Sequence, residues 1–312
     1  MADNNEQSVV YIPDNGRKKS SQKKNKRVTN IVIYVVLTLM SIIWIFPFVL
    51  ILLESFRVSP TTATGNPFFA VAGGTEFQWG FDNYVKLFGG DPSFTSNFPR
   101  WFLNTFLIGL FTALFQTIIV LCMSYTLSRS RFKGRKLLMN FMLVIGMFPG
   151  FLTLLILYTL LKYMGLTGGN APIGLILVYC ASSGMGYHVS KGFFDTVPKA
   201  LDEAARIDGA NRAQVLYKII LPMAKPIVIY TILTAFMAPW GDFVLAKYIA
   251  GLEQDGYNVA IGLQLWSDPK LYASYYTVFC AGGVVVAIPV TILFMFLQKY
   301  YVEGVTGGAV KG

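Results

Sequence analysis

Trp101-Phe-Leu-Asn-Thr-Phe-Leu-Ile-Gly-Leu-Phe-Thr-Ala-Leu-Phe-Gln-Thr-Ile-Ile-Val-Leu-Cys-Met-Ser-Tyr-Thr-Leu127 contains no Asp, Glu, Lys or Arg. A helix needs about 18–20 apolar residues to cross a bilayer core of roughly 30 Å, and this run exceeds that length. Four more charge-free blocks follow the same rule: Val28–Leu53, Leu137–Leu161, Ala171–Ser190 and Leu271–Gln298. A sixth, Pro226–Ala246, is interrupted only by Asp242 near its far end. Lipid offers no partner to a backbone N–H or C=O, so each block is read as a helix that satisfies itself. A membrane barrel would need short segments of alternating polarity, and none is visible. The expectation is an all-α integral membrane protein with six transmembrane helices.

Composition agrees. Of the 312 residues 54% are hydrophobic and 13% charged, against about 25% charged in an ordinary soluble domain. Cys122, Cys180 and Cys280 all lie inside apolar blocks and read as small buried side chains. The single histidine, His188, has no Cys, His or carboxylate at ligand spacing, so no metal site is expected.

The net charge of +10 would suit a nucleic-acid binder, but its placement argues otherwise. Most Lys and Arg fall in Arg17–Arg27, in Arg129–Lys136, in Lys191–Lys225, and at Lys299 and Lys311. These groups lie on alternate sides of successive blocks, which marks the cytoplasmic side. Both termini are therefore expected in the cytoplasm, at a cell membrane, with no role for nucleic acid. The chain divides into a basic cytoplasmic tail 1–27, a transmembrane domain 28–298 and a cytoplasmic tail 299–312. The apolar run Ile31–Leu53 is too long for a signal-peptide core of roughly 7–15 residues.

Between the first two blocks, Glu54–Arg100 is rich in Gly, Pro, Thr and Phe. Its stretch from Phe77 to Phe88 reads as an amphipathic segment lying at the interface. Gly and Pro inside the blocks, among them Pro47, Gly146, Pro149, Gly150, Gly184, Gly186, Pro239, Gly282, Gly283 and Pro289, allow either close helix packing or kinks.

The segment 191–222 is different in kind. Asp195 or Thr196 can cap a helix and Pro198 suits its first turn. Ala200–Asp208 is strong helix-forming sequence, and Gly209 supplies a left-handed stop. Asn211 can cap a second helix that ends at Pro222. Ala204 and Ala205 keep the first helix narrow enough to enter a groove on another protein.

Here the sequence resembles a known family. Glu203-Ala204-Ala205, three residues, Gly209, nine residues, Ile219, one residue, Leu221-Pro222 matches the EAA loop of ABC-importer permeases. The likeness extends over nearly all of 28–312 and is closest to carbohydrate permeases of the maltose/maltodextrin type. It is carried also by Phe46-Pro47-Phe48, Ser55-Phe56-Arg57, Phe148-Pro149-Gly150, Lys191-Gly192-Phe193-Phe194 and the tail Gly304–Gly312. Trp240-Gly241-Asp242-Phe243 resembles a Trp-Asn-Asp-Phe pattern, with Gly241 departing from the usual Asn.

The resemblance implies a type I ABC importer permease with a cytoplasmic coupling loop at 191–222. Its coupling helix would seat in an ATPase through Ala200, Leu201, Glu203, Ala204, Ala205, Asp208 and Gly209. A sugar path needs polar groups and aromatic faces, for which Asn104, Gln116, Tyr158, Tyr179, Tyr187, Trp240 and Asp242 have suitable chemistry. In maltose-type relatives the outer loop Ala250–Pro269 meets the binding protein, which points to Glu253, Gln254, Asp255 and Tyr257. Implied partners are a second permease, an ATP-binding subunit dimer and an extracytoplasmic sugar-binding protein, all at a lipid bilayer.

The chain itself carries no phosphate-binding Gly loop and no catalytic triad pattern. No bound cofactor is expected, and ATP with Mg belongs to the partner subunit. A stand-alone secondary transporter would favour midplane carboxylates and repeated halves, and neither is evident. A membrane-embedded enzyme would need a polar catalytic cluster in or beside the blocks, which is also not evident.

Overall fold

The computed structural model describes residues 16–58, 79–91, 94, 96–147, 150–182, 184–267 and 272–309. The sequence expectations for 1–15, for Phe77, for Phe148-Pro149 and for 310–312 lie outside the described residues. Two compact units divide the chain, 1–50 and 51–312.

Every named element among the described residues is helical. In chain order they are α1 (Gly16–Ser55), α2 (Asp82–Leu87), α3 (Phe98–Arg129), α4 (Arg135–Gly146), α5 (Gly150–Tyr163), α6 (Ala171–Ala181) and α7 (Gly184–Thr196). Then come α8 (Lys199–Ile207), α9 (Arg212–Val215), α10 (Leu221–Met223), α11 (Lys225–Gly241), α12 (Val244–Ala250), α13 (Val259–Trp266) and α14 (Tyr272–Ala309). In the first unit the helix turns outward such apolar side chains as Tyr34, Ile43 and Trp44. An apolar surface on all sides is what a lipid-facing helix carries.

Among the described residues, 3 helices are long and apolar enough to cross a bilayer: Lys26–Ser55, Phe98–Arg129 and Tyr275–Lys299. Two bent pairs raise the total to 5 if each is one span: Leu152–Tyr163 with Gly168–Ala181, at 107°, and Arg212–Met223 with Lys225–Gly241, at 88°. The count differs from the sequence expectation of six because three of the apolar blocks are broken. The block 137–161 is shared by α4 and α5, 171–190 by α6 and α7, and 226–246 by α11 and α12. Helix starts at Gly150 and Gly184, and Pro239 close to the end of α11, mark where the chain departs from one continuous helix.

The second unit is organised around α3, which packs most extensively on α11 and then on α7 and α6. A Cβ at Gly109 would stand 2.9 Å from the Phe236 carbonyl oxygen, so glycine lets the α3 and α11 backbones close up. Toward one end of α3, Phe98, Trp101, Trp240 and Trp266 are buried in one aromatic cluster. Trp101 and Trp266 have ring centroids 5.4 Å apart, and Phe102 meets Trp240 edge-on at 5.6 Å.

Two buried asparagines hold the ends of helices in this cluster. Asn258, 0% exposed, accepts the Ile261 N–H at the start of α13 and donates to the carbonyls of Pro239 and Asp242. Asn83 donates to the carbonyls of Ser55 and Arg57 and accepts from Thr277 Oγ1 on α14. Asn83 and Leu87 are the buried side of the short helix α2, while Trp79, Phe81 and Phe88 stay exposed. This part of the segment between α1 and α3 is amphipathic, as its sequence suggests.

A Cβ at Gly262 would run into the Trp101 ring. Gly262→Ala is expected to destabilise the purified protein by about 1–3 kcal/mol through overpacking. Thermal unfolding followed by size-exclusion recovery measures this, and an unchanged midpoint would contradict the packing described.

Candidate functional site

The segment after α7 folds as a helix, a glycine turn and a second helix. Pro198 is the N-cap of α8, with no side-chain capping bond. Neither Thr196 nor Asp195 caps α8 as the sequence had suggested, because both are engaged elsewhere: Thr196 Oγ1 donates to the Phe193 carbonyl, and Asp195 is taken by Ser128 and Lys191. Gly209 has φ +85°, and a Cβ there would meet nothing within 4 Å. Glycine is required by backbone conformation and not by space. Asn211 caps the next helix as expected, through a capping box with Gln214. A π-helical turn at Leu216–Ile220 then leads into α10 and the bend before α11.

α8 has two sides. Asp202 and Ala205 face inward. Ala200, Leu201, Glu203, Ala204, Ile207, Asp208 and Gly209 are exposed, Ile207 at 87%. Leu201, Ala204 and Ile207 recur at spacing three, so α8 shows solvent an apolar strip flanked by charges. Of the residues expected to couple, Ala205 is therefore the exception, since it supports the helix from behind.

Two residues that sequence reasoning did not single out hold this segment in place. Arg129, at the end of α3, puts Nε 2.8 Å from Asp202 Oδ2, with side chains 3% and 7% exposed. Its Nη2 donates to the Val197 carbonyl at 2.9 Å. The available signal was positional: Arg129 is the first charge after the long apolar run, and Asp202 shares a helix face with Ala205. Beside them, Asp195 accepts from Ser128 Oγ at 2.6 Å and pairs with Lys191. Burial works against the Asp195 carboxylate, but hydrogen bonds from Lys191 and Ser128, with the charges of Lys191 and Arg135, outweigh it and hold its pKa below the usual value.

A cavity of about 490 Å³ opens at the breaks in the apolar blocks. Met142, Ile145 and Gly146 of α4, Thr153, Leu154 and Leu157 of α5, Val178, Ala181 and Ser182 from α6 and its end, Tyr187 of α7 and Leu245 of α12 line it. The lining is mostly apolar, with Thr153, Ser182 and Tyr187 supplying hydroxyls. Of the path residues named from sequence, Tyr187 alone is in this lining.

The others lie elsewhere. Tyr179 donates to Asp242 Oδ2 at 2.6 Å, while Asp242 Oδ1 accepts the Leu245 N–H and so caps the start of α12. Trp240 is packed in the aromatic core. Asn104 donates to the carbonyls of Asp255 and Tyr257, which ties α3 to the loop between α12 and α13. Tyr158 meets Tyr248 edge-on at 5.0 Å. Gln116 is half-buried, with its backbone beside Cys180.

In the loop after α12, Glu253 accepts the Gly169 N–H, Gln254 Oε1 accepts from Asn97, and Asp255 pairs with Arg100 at 2.8 Å. These three are exposed, and Leu252 beside them is 90% exposed. Tyr257 is only 2% exposed; its hydroxyl accepts from Lys247 and donates to the Gly251 carbonyl. It belongs to the loop's interior, so the outward surface is carried by its neighbours. Among the described residues no group of three or more His, Cys, Asp or Glu could hold a metal ion.

Residues 121–307 match the family described as "Binding-protein-dependent transport system inner membrane component". The chain belongs to this family. Among curated members, it is 35% identical over 299 residues to a maltodextrin transport system permease protein of Bacillus subtilis, covering 92% of this chain and 98% of that one. It is 33% identical over 296 residues to a maltodextrin transport system permease protein of Streptococcus pneumoniae, covering 94% and 99%. A galactooligosaccharides transport system permease protein of Bacillus subtilis is 37% identical over 233 residues, with 74% and 80% covered. A chain from the crystal structure of a bacterial ABC transporter involved in alginate import shares the fold, with a TM-score of 0.68 at 22% identity over 89% of this chain and 98% of that one. The family match makes the protein an integral multi-pass permease subunit of an ABC transporter, without catalysis of its own.

Asp195 gives a pH test. Its folded pKa lies below the unfolded value, so its contribution is complete above about pH 4 and is lost as pH falls through the folded pKa. Asp195→Asn is expected to lower the thermal midpoint at neutral pH and to leave a smaller acid-side decline than wild type. Parallel declines in the two proteins would contradict the clamp.

Proposed function

We propose that this chain is one of two permease subunits of an importer for maltodextrin or a related oligosaccharide. An extracytoplasmic binding protein delivers the sugar, and a separate dimer of ATP-binding subunits, using ATP and Mg, drives the cycle. The observation that carries the coupling half of this reading is the exposed strip Leu201, Ala204, Ile207 on α8, next to Glu203 and ended by the left-handed Gly209. A small-residue helix standing out from the chain is shaped to seat in a partner's groove. The cargo half rests on the maltodextrin transport of relatives that match this chain almost end to end.

In this reading the chain crosses the membrane six times within 28–298, and the tails 1–27 and 299–312 and the coupling loop 191–222 lie in the cytoplasm. The broken blocks are single spans bent at their Gly and Pro positions. A break inside lipid needs neighbouring protein or water to satisfy its backbone, which is where a solute path belongs. The cavity containing Tyr187, Thr153 and Ser182 is then part of the path, and the Tyr179–Asp242 hydrogen bond joins α6 to the start of α12, two helices that line it. Asn104, Tyr158 and Trp240 stand outside this cavity and serve the route through the packing around it, Asn104 by tying α3 to the loop at 255–257, Trp240 in the aromatic core and Tyr158 against Tyr248; Gln116 also stands outside the cavity. Glu253, Gln254 and Asp255 face the binding protein, backed by Tyr257. Moving such a path from 1:99 to 99:1 inward-facing takes about 5.5 kcal/mol of differential binding, within reach of a docked, ATP-driven partner.

The test is uptake of radiolabelled maltodextrin by proteoliposomes holding the complex co-purified on a tag on this chain. Uptake requiring both ATP and the binding protein is expected. ATPase stimulation only by a binding protein for another solute would overturn the cargo, and ATP-independent uptake by this chain alone would overturn the class. Gly209→Pro forces φ negative where the turn needs +85°. With it, or with Glu203→Ala, uptake is expected to fall about tenfold or more, the effect of losing roughly 1.4 kcal/mol of docking. Normal uptake at normal expression would remove α8 from the coupling role.

A further inference from the structure

α8 is held to the rest of the chain by unusually little apolar surface. Among the described residues, the only apolar side chain it buries is that of Ala205. A single methyl gives a loose seat, and a helix attached that way could rock without moving what lies beneath it. The hold comes instead from charged contacts with α3, where Arg206 of α8 lies beside Tyr125 and one buried guanidinium carries the larger part. Arg129 grips Asp202 in the first turn of α8 at 2.8 Å and, with its other arm, the Val197 carbonyl just before α8 at 2.9 Å. Both side chains are nearly out of water, where a charge pair is screened least. Arg129 also ends α3, the helix on which α6, α7 and α11 are assembled.

We infer that Arg129 and Asp202 form the mechanical link that carries movement of α8 into α3 and from there to the solute path. They are positioning residues, since they act through α8 and α3 and touch no solute. The guanidinium matters because it meets the entry of α8 by a hydrogen bond and its first turn by an ion pair, so that the helix moves with α3 as one body. This inference rests on the reading of α8 as the helix seated in the ATPase subunit. It assigns to the pair something that reading does not contain: a helix can be docked and yet fail to transmit.

The experiment uses the whole complex in proteoliposomes and measures ATP hydrolysed per maltodextrin taken up. Asp202→Asn is expected to leave the ATPase subunits bound and hydrolysis within about twofold of wild type, while ATP spent per sugar rises about tenfold, within the range of coupling between two sites. Arg129→Lys keeps a charge near Asp202 but loses the second arm, and should give an intermediate ratio. An unchanged ratio in both variants would overturn the inference. So would loss of the ATPase subunits from the complex in both, because the pair would then serve assembly alone. Failure of the docking reading shows separately, as undiminished ATPase binding and uptake in Glu203→Ala.

Discussion

Inside a bilayer a helix that breaks must bring its own hydrogen-bond partners, because no water stands ready to supply them. At the end of α11 this constraint is met by a small set of buried side chains. Pro239 and Asp242 leave carbonyls that the helix ladder does not use, and Asn258 donates to both. The Asp242 carboxylate in turn starts α12 and receives the Tyr179 hydroxyl. Thr105 Oγ1 on α3 accepts the Val259 N–H at the start of α13. The break between α11 and α12 is thereby fixed in place, and the start of α13 is pinned to α3.

The same helix serves both ends of the protein. At one end, Asn104 ties α3 to the loop bearing Glu253, Gln254 and Asp255. At the other, Arg129 and Ser128 hold the turn and helix formed by 195–207. A single packed element thus joins that loop to the segment 195–207. The missing Cβ at Gly109 lets α3 and α11 pack close enough to behave as one layer.

Much of this was legible in the sequence because the signals are local. Charge-free runs specify membrane helices, and Gly209 and Asn211 specify the turn and cap that the structure contains. The spacing from Glu203 to Pro222 pointed to the family that the profile match then established. What stayed hidden depends on pairs distant along the chain. Nothing near Asp202 in sequence announces Arg129, and Asn258 looks like any loop asparagine until Pro239 is placed beside it. Tyr257 is named for a partner contact because the corresponding loop of maltose-type relatives meets the binding protein, yet Lys247 and the Gly251 carbonyl draw its hydroxyl inward. Polar side chains named for the solute path are mostly spent on fixing helix ends, a use that residue type alone does not distinguish from binding.

The central claim is that α8 is the surface through which a separate ATPase moves this permease. The most direct test is a variant whose single cysteine is Ala204→Cys, treated with a short thiol cross-linker in membranes containing the complex. The account predicts an adduct between this chain and the ATP-binding subunit, whose yield changes when ATP is trapped. Absence of that adduct, from a complex that still transports, would contradict it.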